Sequence, residues 1–174
     1  MLSGARAGHE GGTPMAAKPA DVPVGTPLDD LDIHGVMARI PHRYPMLLID
    51  RVVGMEAYLR AVGIKNVTIN EHFFQGHFPT DPIVPGVFLI EAMAQTAATL
   101  VMASVGPAYY GNRVYFMGVN EARFRRPVRP GDEIRLEVEI QRSRLSVYRF
   151  AGIAKVRDEV AAEAVFSAKM MFDS

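Results

Sequence analysis

The order of apolar and polar residues divides the chain into two helices and a series of strands. Apolar residues recur at helical spacing from Leu31 to Ile40, and Pro41 ends this first short helix. Residues 86–104 form the strongest predicted helix, because they contain no proline, are rich in Ala, Leu and Met, and end before Gly106. This segment is apolar on nearly every side, so we expect a buried helix.

Strand patterns lie on both sides of the long helix. Before it, PHRYPMLLIDRVVGM and AYLRAVGIKNVTI predict a hairpin. After it come five predicted strands, RVYFMGVN, ARFRRPV, DEIRLEVEIQRSRL, SVYRFAGIAKVRD and VAAEAVFSAKMMF. In DEIRLEVEI the apolar residues Ile134, Leu136 and Val138 alternate with charged ones, which predicts one face on a core and one in water. The pattern favours an α+β fold in which an antiparallel sheet wraps one buried helix.

Length and composition fit one folded domain with an N-terminal tail. The 174 residues are 49% hydrophobic and 22% charged, which is ordinary for a globular protein. Residues 1–27 are rich in Gly and Pro and lack the continuous apolar run of a signal peptide or the Arg-rich amphipathic pattern of a transit peptide. We therefore expect a flexible tail at residues 1–27, a single domain at 28–174, and a cytoplasmic location.

Charge and cysteine content exclude several classes of function. Nineteen Lys and Arg balance nineteen Asp and Glu, so no global charge favours nucleic acid or an anionic membrane as a partner. The chain has no Cys, which excludes disulfides and thiolate metal sites. Residues 84–105 are long enough to span a membrane, but they carry Glu91, Gln95 and two threonines, so we predict no membrane span.

One carboxylate interrupts the apolar helix in the stretch GHFPTDPIVPGVFLIEAMAQ. Glu91 lies just over one turn after Gly86, and Gln95 follows it by four residues on the same helical face. The amide can therefore hydrogen-bond the carboxyl group. From the helix alone, a structural Glu satisfied by this amide is as good an interpretation as a catalytic acid.

A histidine and a helix start in the same stretch could complete a catalytic site. His77, held between Gly76 and Phe78, could act as a neutral base, or it could simply bond a backbone carbonyl. His72 raises the alternative of a metal site, which its unfamiliar spacing from His77 disfavours. Gly86 begins a helix whose free N–H groups could bind an oxyanion, or could be an ordinary helix start. Together a base, an acid and an oxyanion donor suit proton abstraction next to a carbonyl.

The same stretch closely resembles the active-site segment of the 3-hydroxyacyl-[acyl-carrier-protein] dehydratases. The segments IPHRYPMLLIDRV, NVTINEHFFQGHFP, RVYFMGVNEARFRRPVRPGD and VAAEAVFSAKMMF are similar to the same family in the same order, so the resemblance covers residues 31–172. It implies a hot-dog fold, in which a curved antiparallel sheet wraps a long central helix. It also implies a homodimer with its active sites at the interface, and a trimer of dimers in many members.

The resemblance implies a role for each residue of the site. His77 would be the catalytic base and Glu91 the catalytic acid, contributed by opposite subunits, with Gly86 donating its N–H to the thioester carbonyl. Because the related dehydratase-isomerases have Asp in place of Glu91, dehydration without double-bond isomerisation is expected. Phe88 is bulkier than the aliphatic residue expected there. The other residues assigned to substrate binding are Phe78, Val87, Gln95 and Tyr115, of which Tyr115 would gate the acyl tunnel.

The implied reaction converts a (3R)-3-hydroxyacyl thioester to the trans-2-enoyl thioester without a metal or redox cofactor. Its substrate would be carried on acyl carrier protein, which is acidic and would need a basic docking patch. The candidates are the four arginines of ARFRRPVRP, namely Arg123, Arg125, Arg126 and Arg129, although charges on a solvated strand edge can also serve to prevent aggregation. A hot-dog thioesterase and a non-catalytic acyl-binding module remain as alternatives.

Overall fold

The fold combines two helices with one six-stranded sheet. The computed structural model describes residues 22–172. Every strand pair is antiparallel, and the strands lie in the order β1-β2-β4-β5-β6-β3. The elements along the chain are α1 (Ile33–Arg39), β1 (Arg51–Glu56), β2 (Arg60–Asn66), α2 (Gly86–Val105), β3 (Val114–Phe124), β4 (Glu133–Arg144), β5 (Val147–Val156) and β6 (Glu159–Met170), with short 3-10 helices at His72–Gln75 and Pro107–Tyr109. The predicted α+β hot-dog architecture is confirmed.

Helix α2 is the centre of the core. It begins after Pro85, as expected for a residue that cannot donate a backbone hydrogen bond, and it ends at Gly106, whose φ of 95° favours glycine. Its second half, from Gln95 to Val105, is almost entirely buried. On β4, Ile134, Leu136 and Val138 are buried while the residues between them are not, as their alternation predicts.

The sheet approaches α2 closely at two glycines. A Cβ atom at Gly63 of β2 would lie 2.1 Å from Thr96 Oγ1, and one at Gly152 of β5 would lie 2.7 Å from Met93 Sδ. Neither glycine has a positive φ, so the lack of a side chain, not backbone freedom, is what these positions require. The helix therefore lies directly on the backbone of two strands, which fixes its position along the sheet.

The segment RVYFMGVN and the first three residues of ARFRRPV form one strand, which corrects the prediction of two. Strand β3 continues from Val114 to Phe124 along β6, with irregularities between Phe116 and Gly118 and between Val119 and Glu121. Such bulges absorb a residue without ending the ladder, so one strand continues where two were predicted.

The residues just before the predicted domain boundary contact the first hairpin. Gly25 donates its N–H to Ala57 O at 2.8 Å, and Ala57 N–H donates to Thr26 O at 2.8 Å. The part of the predicted tail at residues 22–27 thus packs on the turn between β1 and β2. The rest of the predicted tail, residues 1–21, lies outside the described residues.

Helix α2 is also the one helix within residues 22–172 that is long and apolar enough to cross a membrane. Its most apolar window is 61% buried inside the fold, as in the core helix of a globular protein.

Replacing Gly63 with alanine should destabilise the protein because the new methyl group collides with Thr96. We expect the free energy of unfolding to fall by about 2–3 kcal/mol, measured by urea denaturation, as for other overpacked cores. In a chain that already carries Thr96→Ala, the same substitution should cost clearly less. Equal costs in the two backgrounds would contradict the close approach of α2 to β2.

Candidate active site

His77 lies in a compact loop that connects β2 to α2. Its Nδ1 is 2.8 Å from Ile83 O, and Ile83 N–H donates back to His77 O at 3.1 Å. Because a carbonyl oxygen only accepts, Nδ1 must carry the hydrogen, and in the neutral ring Nε2 has a free lone pair. The ring also stacks on Phe78 with centroids 4.2 Å apart. The backbone contact and the role of a base are thus compatible, because the contact selects the tautomer that a base needs.

His77 opens into a broad groove at the start of α2, which we call the histidine groove. The groove has a volume of about 600 Å³, and its walls include His77, Gly86, Val87, Phe124, Arg125 and Arg126. Gly86 is the first residue of α2, so its N–H has no acceptor within the helix. Val87 is exposed beside it. The groove therefore brings together the predicted base, the predicted oxyanion donor and two of the predicted arginines.

Phe124 covers Gly86 and was not anticipated from the sequence. A Cβ atom at Gly86 would lie 2.7 Å from Phe124 Cε1, so the ring packs against the backbone at the start of the helix. This contact explains why glycine occupies the position. The sequence gives no sign of it, because Phe124 is far along the chain and reads as one more apolar strand residue.

Glu91 lies in a second, smaller recess, which we call the acid recess. The recess has a volume of about 20 Å³, room for little more than a water molecule, and Gln95, Ala98 and Phe116 are among its walls. The predicted hydrogen bond is present, with Gln95 Nε2 donating to Glu91 Oε1 at 2.8 Å. The Glu91 side chain is 21% exposed, so within one chain its burial is only partial.

Gln95 is fixed by the backbone of the loop before β1. Its Oε1 accepts from Leu48 N–H at 2.9 Å, and its Nε2 donates to Met46 O at 2.7 Å. These two bonds determine which end of the amide is nitrogen, and they aim an N–H group at Glu91. Gln95 is 1% exposed, so it is a rigid support for the carboxyl group.

His42 is a second neighbour of Glu91 that the sequence analysis missed. Its Nε2 lies 3.5 Å from Glu91 Oε1. Burial lowers the pKa of His42, the charge of Arg43 lowers it further, and Glu91 partly offsets both effects by raising it. His42 is remote from Glu91 along the chain, so helical spacing could not link them; only the histidine of PHRYP itself was a signal.

One chain does not bring His77 and Glu91 into a common cavity. His77 and Gly86 line the histidine groove, whereas Glu91 lines the acid recess. Helix geometry explains the separation, because five residues turn the helix by about 500°, which leaves Glu91 roughly 140° away from Gly86 around the axis. The histidine groove, which includes Gly86, and the acid recess, which includes Glu91, therefore lie on different sides of the same helix.

Tyr115 lies on β3 and lines neither the histidine groove nor the acid recess. The side chain is exposed, and Arg113 Nη1 donates to its hydroxyl at 3.4 Å. Its role as a tunnel gate stays a prediction.

Each of the four candidate docking arginines has an acidic partner in the same chain. Arg125 lies 2.5 Å and Arg123 3.8 Å from Glu163 Oε1. Arg126 pairs with Glu159 and Arg129 with Asp81, and the Arg129 guanidinium holds the pKa of the Asp81 carboxyl below its usual value. Three carboxylates thus offset part of the charge of the four arginines, and the predicted patch is less basic than the sequence suggests.

Metal ligands do not cluster in the part of the chain that the structure describes. Among residues 22–172, no three His, Asp or Glu side chains are placed to hold a metal ion. His72, the residue behind the metal alternative, contacts the rings of Phe73 and Phe88. The bulky Phe88 noted in the sequence is therefore part of an aromatic cluster under the loop.

The comparison with protein families shows which family the chain belongs to. The FabA-like domain matches residues 40–165, a span that includes His42, His77, Gly86 and Glu91. The chain belongs to the FabA-like family. The match begins just before the PHRYP loop and ends within β6, so it covers α2 and all or part of every strand and leaves out α1.

Relatives of this FabA-like chain include two bacterial proteins named 3-hydroxyacyl-[acyl-carrier-protein] dehydratase FabZ. The protein of Gluconobacter oxydans (strain 621H) is 57% identical over 141 residues, which are 81% of this chain and 83% of the relative. The protein of Gluconacetobacter diazotrophicus is 56% identical over 146 residues, 84% of this chain and 91% of the relative. The resemblance to this dehydratase family is confirmed.

Solved structures with the same fold are much more distant from the FabA-like chain in sequence. The dehydratase heterocomplex ApeI:P from Xenorhabdus doucetiae matches with a TM-score of 0.68 and 16% identity, over 78% of this chain and 90% of that one. A hypothetical thioesterase with coenzyme A from Streptococcus pneumoniae TIGR4 matches with a TM-score of 0.53 and 10% identity, over 69% and 84%. At these identities the likeness concerns the fold alone.

Replacing Gln95 with leucine should destabilise the fold as well as release Glu91. The change leaves the buried Leu48 N–H without a partner, which costs about 1–3 kcal/mol, and it also removes the hydrogen bond to Met46 C=O. We expect a loss of about 2–4 kcal/mol in the free energy of unfolding, measured by urea denaturation.

The matched control is Thr99→Val, one turn further along α2. The Thr99 hydroxyl bonds only Gln95 O within the helix, so its removal leaves no buried group unpaired. We expect this variant to lose less than about 1 kcal/mol. A similar loss for both variants would contradict the anchoring role of Gln95.

Proposed function

We propose that the protein is a 3-hydroxyacyl-[acyl-carrier-protein] dehydratase of fatty acid biosynthesis. It removes water from (3R)-3-hydroxyacyl carrier protein to give the trans-2-enoyl product. The observation that carries the proposal is the pair formed by a histidine with a free Nε2 and a carboxyl group held by a fixed amide, in a chain 57% identical to a protein of that name.

In the proposed mechanism, His77 takes the proton from C2 of the substrate. Its Nε2 lone pair is free because Nδ1–H is committed to Ile83 O. As C2 loses its proton, negative charge develops on the thioester oxygen, and the N–H of Gly86 at the positive end of α2 stabilises this charge. The ring of Phe124 packs on the same helix start.

Glu91 gives its proton to the departing hydroxyl group. The electrons of the C2–H bond form the C2–C3 double bond as the C3–O bond breaks, and the hydroxyl leaves as water. At the end of the step His77 carries one proton more and Glu91 one proton fewer, so the reaction balances without an oxidant, a reductant or a metal. We accordingly propose that no cofactor is required beyond the phosphopantetheine arm that carries the substrate.

Strand β3 supports the proposal that two chains share each site. It is the outer strand of the sheet beyond β6, and all but its first residue are exposed. Its exposed large apolar residues are Tyr115, Phe116, Met117, Val119 and Phe124. A long apolar edge with free backbone N–H and C=O groups is a template for pairing with another strand. We propose that its partner is β3 of a second copy, as in the predicted homodimer.

Antiparallel pairing of two β3 strands would also bring the halves of the site together. Phe124, at one end of β3, lines the histidine groove, and Phe116, near the other end, lines the acid recess. A twofold axis near the midpoint, Val119, would place each end beside the opposite end of its partner. The histidine groove of one chain would then meet the acid recess of the other. Further assembly into a trimer of dimers stays a prediction.

The acidic carrier protein would dock beside the histidine groove. Arg125 and Arg126 line this groove, so they are the best placed of the four candidates, while Arg123 and Arg129 extend the charged surface on either side along the chain. Their acidic partners would be displaced by acidic groups of the carrier, which is feasible because exposed ion pairs are worth only about 0–1 kcal/mol. A cytoplasmic location for this reaction also stays a prediction.

Mixing two inactive variants should restore activity if each site is shared. His77→Ala removes the base and Glu91→Gln removes the acid proton, and each variant alone should lose at least about 100-fold in kcat. Activity is measured as ultraviolet absorbance of the enoyl thioester formed from 3-hydroxybutyryl carrier protein.

Co-refolding the two variants in equal amounts should restore about a quarter of the wild-type activity, because half the dimers are mixed and each mixed dimer has one intact site. Recovery to no more than the level of the single variants would contradict the shared site. Undiminished activity in either single variant would refute the role of that residue. Release of free thiol from the substrate by the wild-type protein would indicate a thioesterase instead.

Reversing the charge of Arg126 should selectively weaken the binding of carrier-bound substrate. We expect Arg126→Glu to raise KM for the acyl carrier protein substrate by about tenfold and to leave a short N-acetylcysteamine thioester nearly unaffected, because only the carrier needs the patch. Arg144→Glu makes the same charge change on β4, outside the groove, and should leave both substrates unaffected. Equal effects of Arg126→Glu on the two substrates would rule out docking at this residue.

A further inference from the structure

His42 is a second polar neighbour of Glu91, in addition to Gln95. It lies in the loop between α1 and β1, with its Nε2 3.5 Å from Glu91 Oε1, at the outer limit of hydrogen-bond distance. Its side chain is 22% exposed and lines the acid recess. The mechanism proposed above uses Glu91 and leaves this imidazole without a role.

The other nitrogen of His42 is buried and unpaired. Nδ1 has no hydrogen-bond partner within residues 22–172. If Nδ1 carried a hydrogen, a buried N–H donor would be left unsatisfied, which is rarer in proteins than an unsatisfied acceptor. A doubly protonated ring would have the same fault and would also bury a charge. The favoured form is therefore a neutral ring with its hydrogen on Nε2, facing Glu91.

Two donors then converge on the same carboxyl oxygen. Gln95 Nε2 donates to Glu91 Oε1 at 2.8 Å, and His42 Nε2 lies 3.5 Å from the same oxygen. An oxygen that accepts one N–H group and has a second one beside it is a poor place for the acid proton, because the proton would compete with them for the lone pairs. The proton is therefore directed to Oε2.

We propose that His42 is a positioning residue that selects Oε2 of Glu91 as the oxygen that delivers the proton. It acts through Glu91 and does not contact the substrate. The charge left on Glu91 after proton transfer is then stabilised by the hydrogen bond from Gln95 and by the N–H dipole of His42 3.5 Å away. This inference rests on the proposed dehydratase function and adds a residue to its catalytic acid.

The kinetic test compares two substitutions at His42. His42→Phe keeps the ring volume but removes the donor, and we expect it to lower kcat by about 10–100-fold, the range of a lost supporting contact, with KM changed less than about threefold. His42→Gln places an amide N–H near the position of Nε2 and should keep kcat within about fivefold of wild type. Full kcat in His42→Phe, or equal losses in both variants, would overturn the proposal.

A double-substitution cycle separates action through Glu91 from direct action on the substrate. In a Glu91→Gln background, His42→Phe should lower the residual activity by less than about twofold, because its target is already removed. An undiminished effect there would show that His42 acts elsewhere. If the wild-type protein dehydrates the substrate and His42→Phe is fully active, only this inference is overturned. If the wild-type protein forms no enoyl product, the dehydratase function itself is overturned.

Nitrogen NMR of the histidine rings tests the proposal without relying on activity. In 15N-histidine-labelled protein at pH 7, the ring signals of His42, assigned by their absence in His42→Gln, should be those of the neutral tautomer with hydrogen on Nε2. A charged ring, or a neutral ring with hydrogen on Nδ1, would overturn the proposal even if His42→Phe failed to fold.

Discussion

The amide of Gln95 is the interaction on which both the core and the site depend. It lies at the middle of the central helix, and its three hydrogen bonds reach two backbone groups of the loop before β1 and the carboxyl group of Glu91. Because the amide is almost fully buried, none of these partners can be exchanged for water without cost. The loop that carries His42 and Met46 is thereby held against the helix that carries Glu91. A stability element of the fold thus also sets the geometry of the acid.

The packing of α2 on the sheet provides the second constraint. The helix rests on the backbone at Gly63 and Gly152, and an aromatic ring rests on the helix at Gly86. At each point a side chain is missing where two elements come closer than a Cβ would allow. The position of the helix therefore depends on the lack of a side chain at these glycines as much as on buried apolar contacts. Its start, where the proposed oxyanion donor lies, is fixed in the same way.

Much of the fold could be predicted from the sequence because its signals are local. The long helix, the alternating β4 strand and the i,i+4 contact of Glu91 with Gln95 all follow from residues close together in the chain. The aromatic contact at Gly86 and the approach of His42 to Glu91 could not be predicted in this way, because they join segments that meet only through the tertiary fold. The arginines show the same limit. Their number was visible in the sequence, but their pairing with Glu163, Glu159 and Asp81 depends on which strands and loops become neighbours.

The angular offset between Gly86 and Glu91 has a consequence for which substitutions the protein can tolerate. In the proposed dimer, the helix of each chain supplies the oxyanion donor to one site and the acid to the other. A shift of that helix by a fraction of an ångström would therefore disturb both sites at once, each through a different group. Both chains carry any substitution, so one in the core around α2 is felt twice at each site, and the interior of this fold is expected to evolve more slowly than its distance from the substrate would suggest.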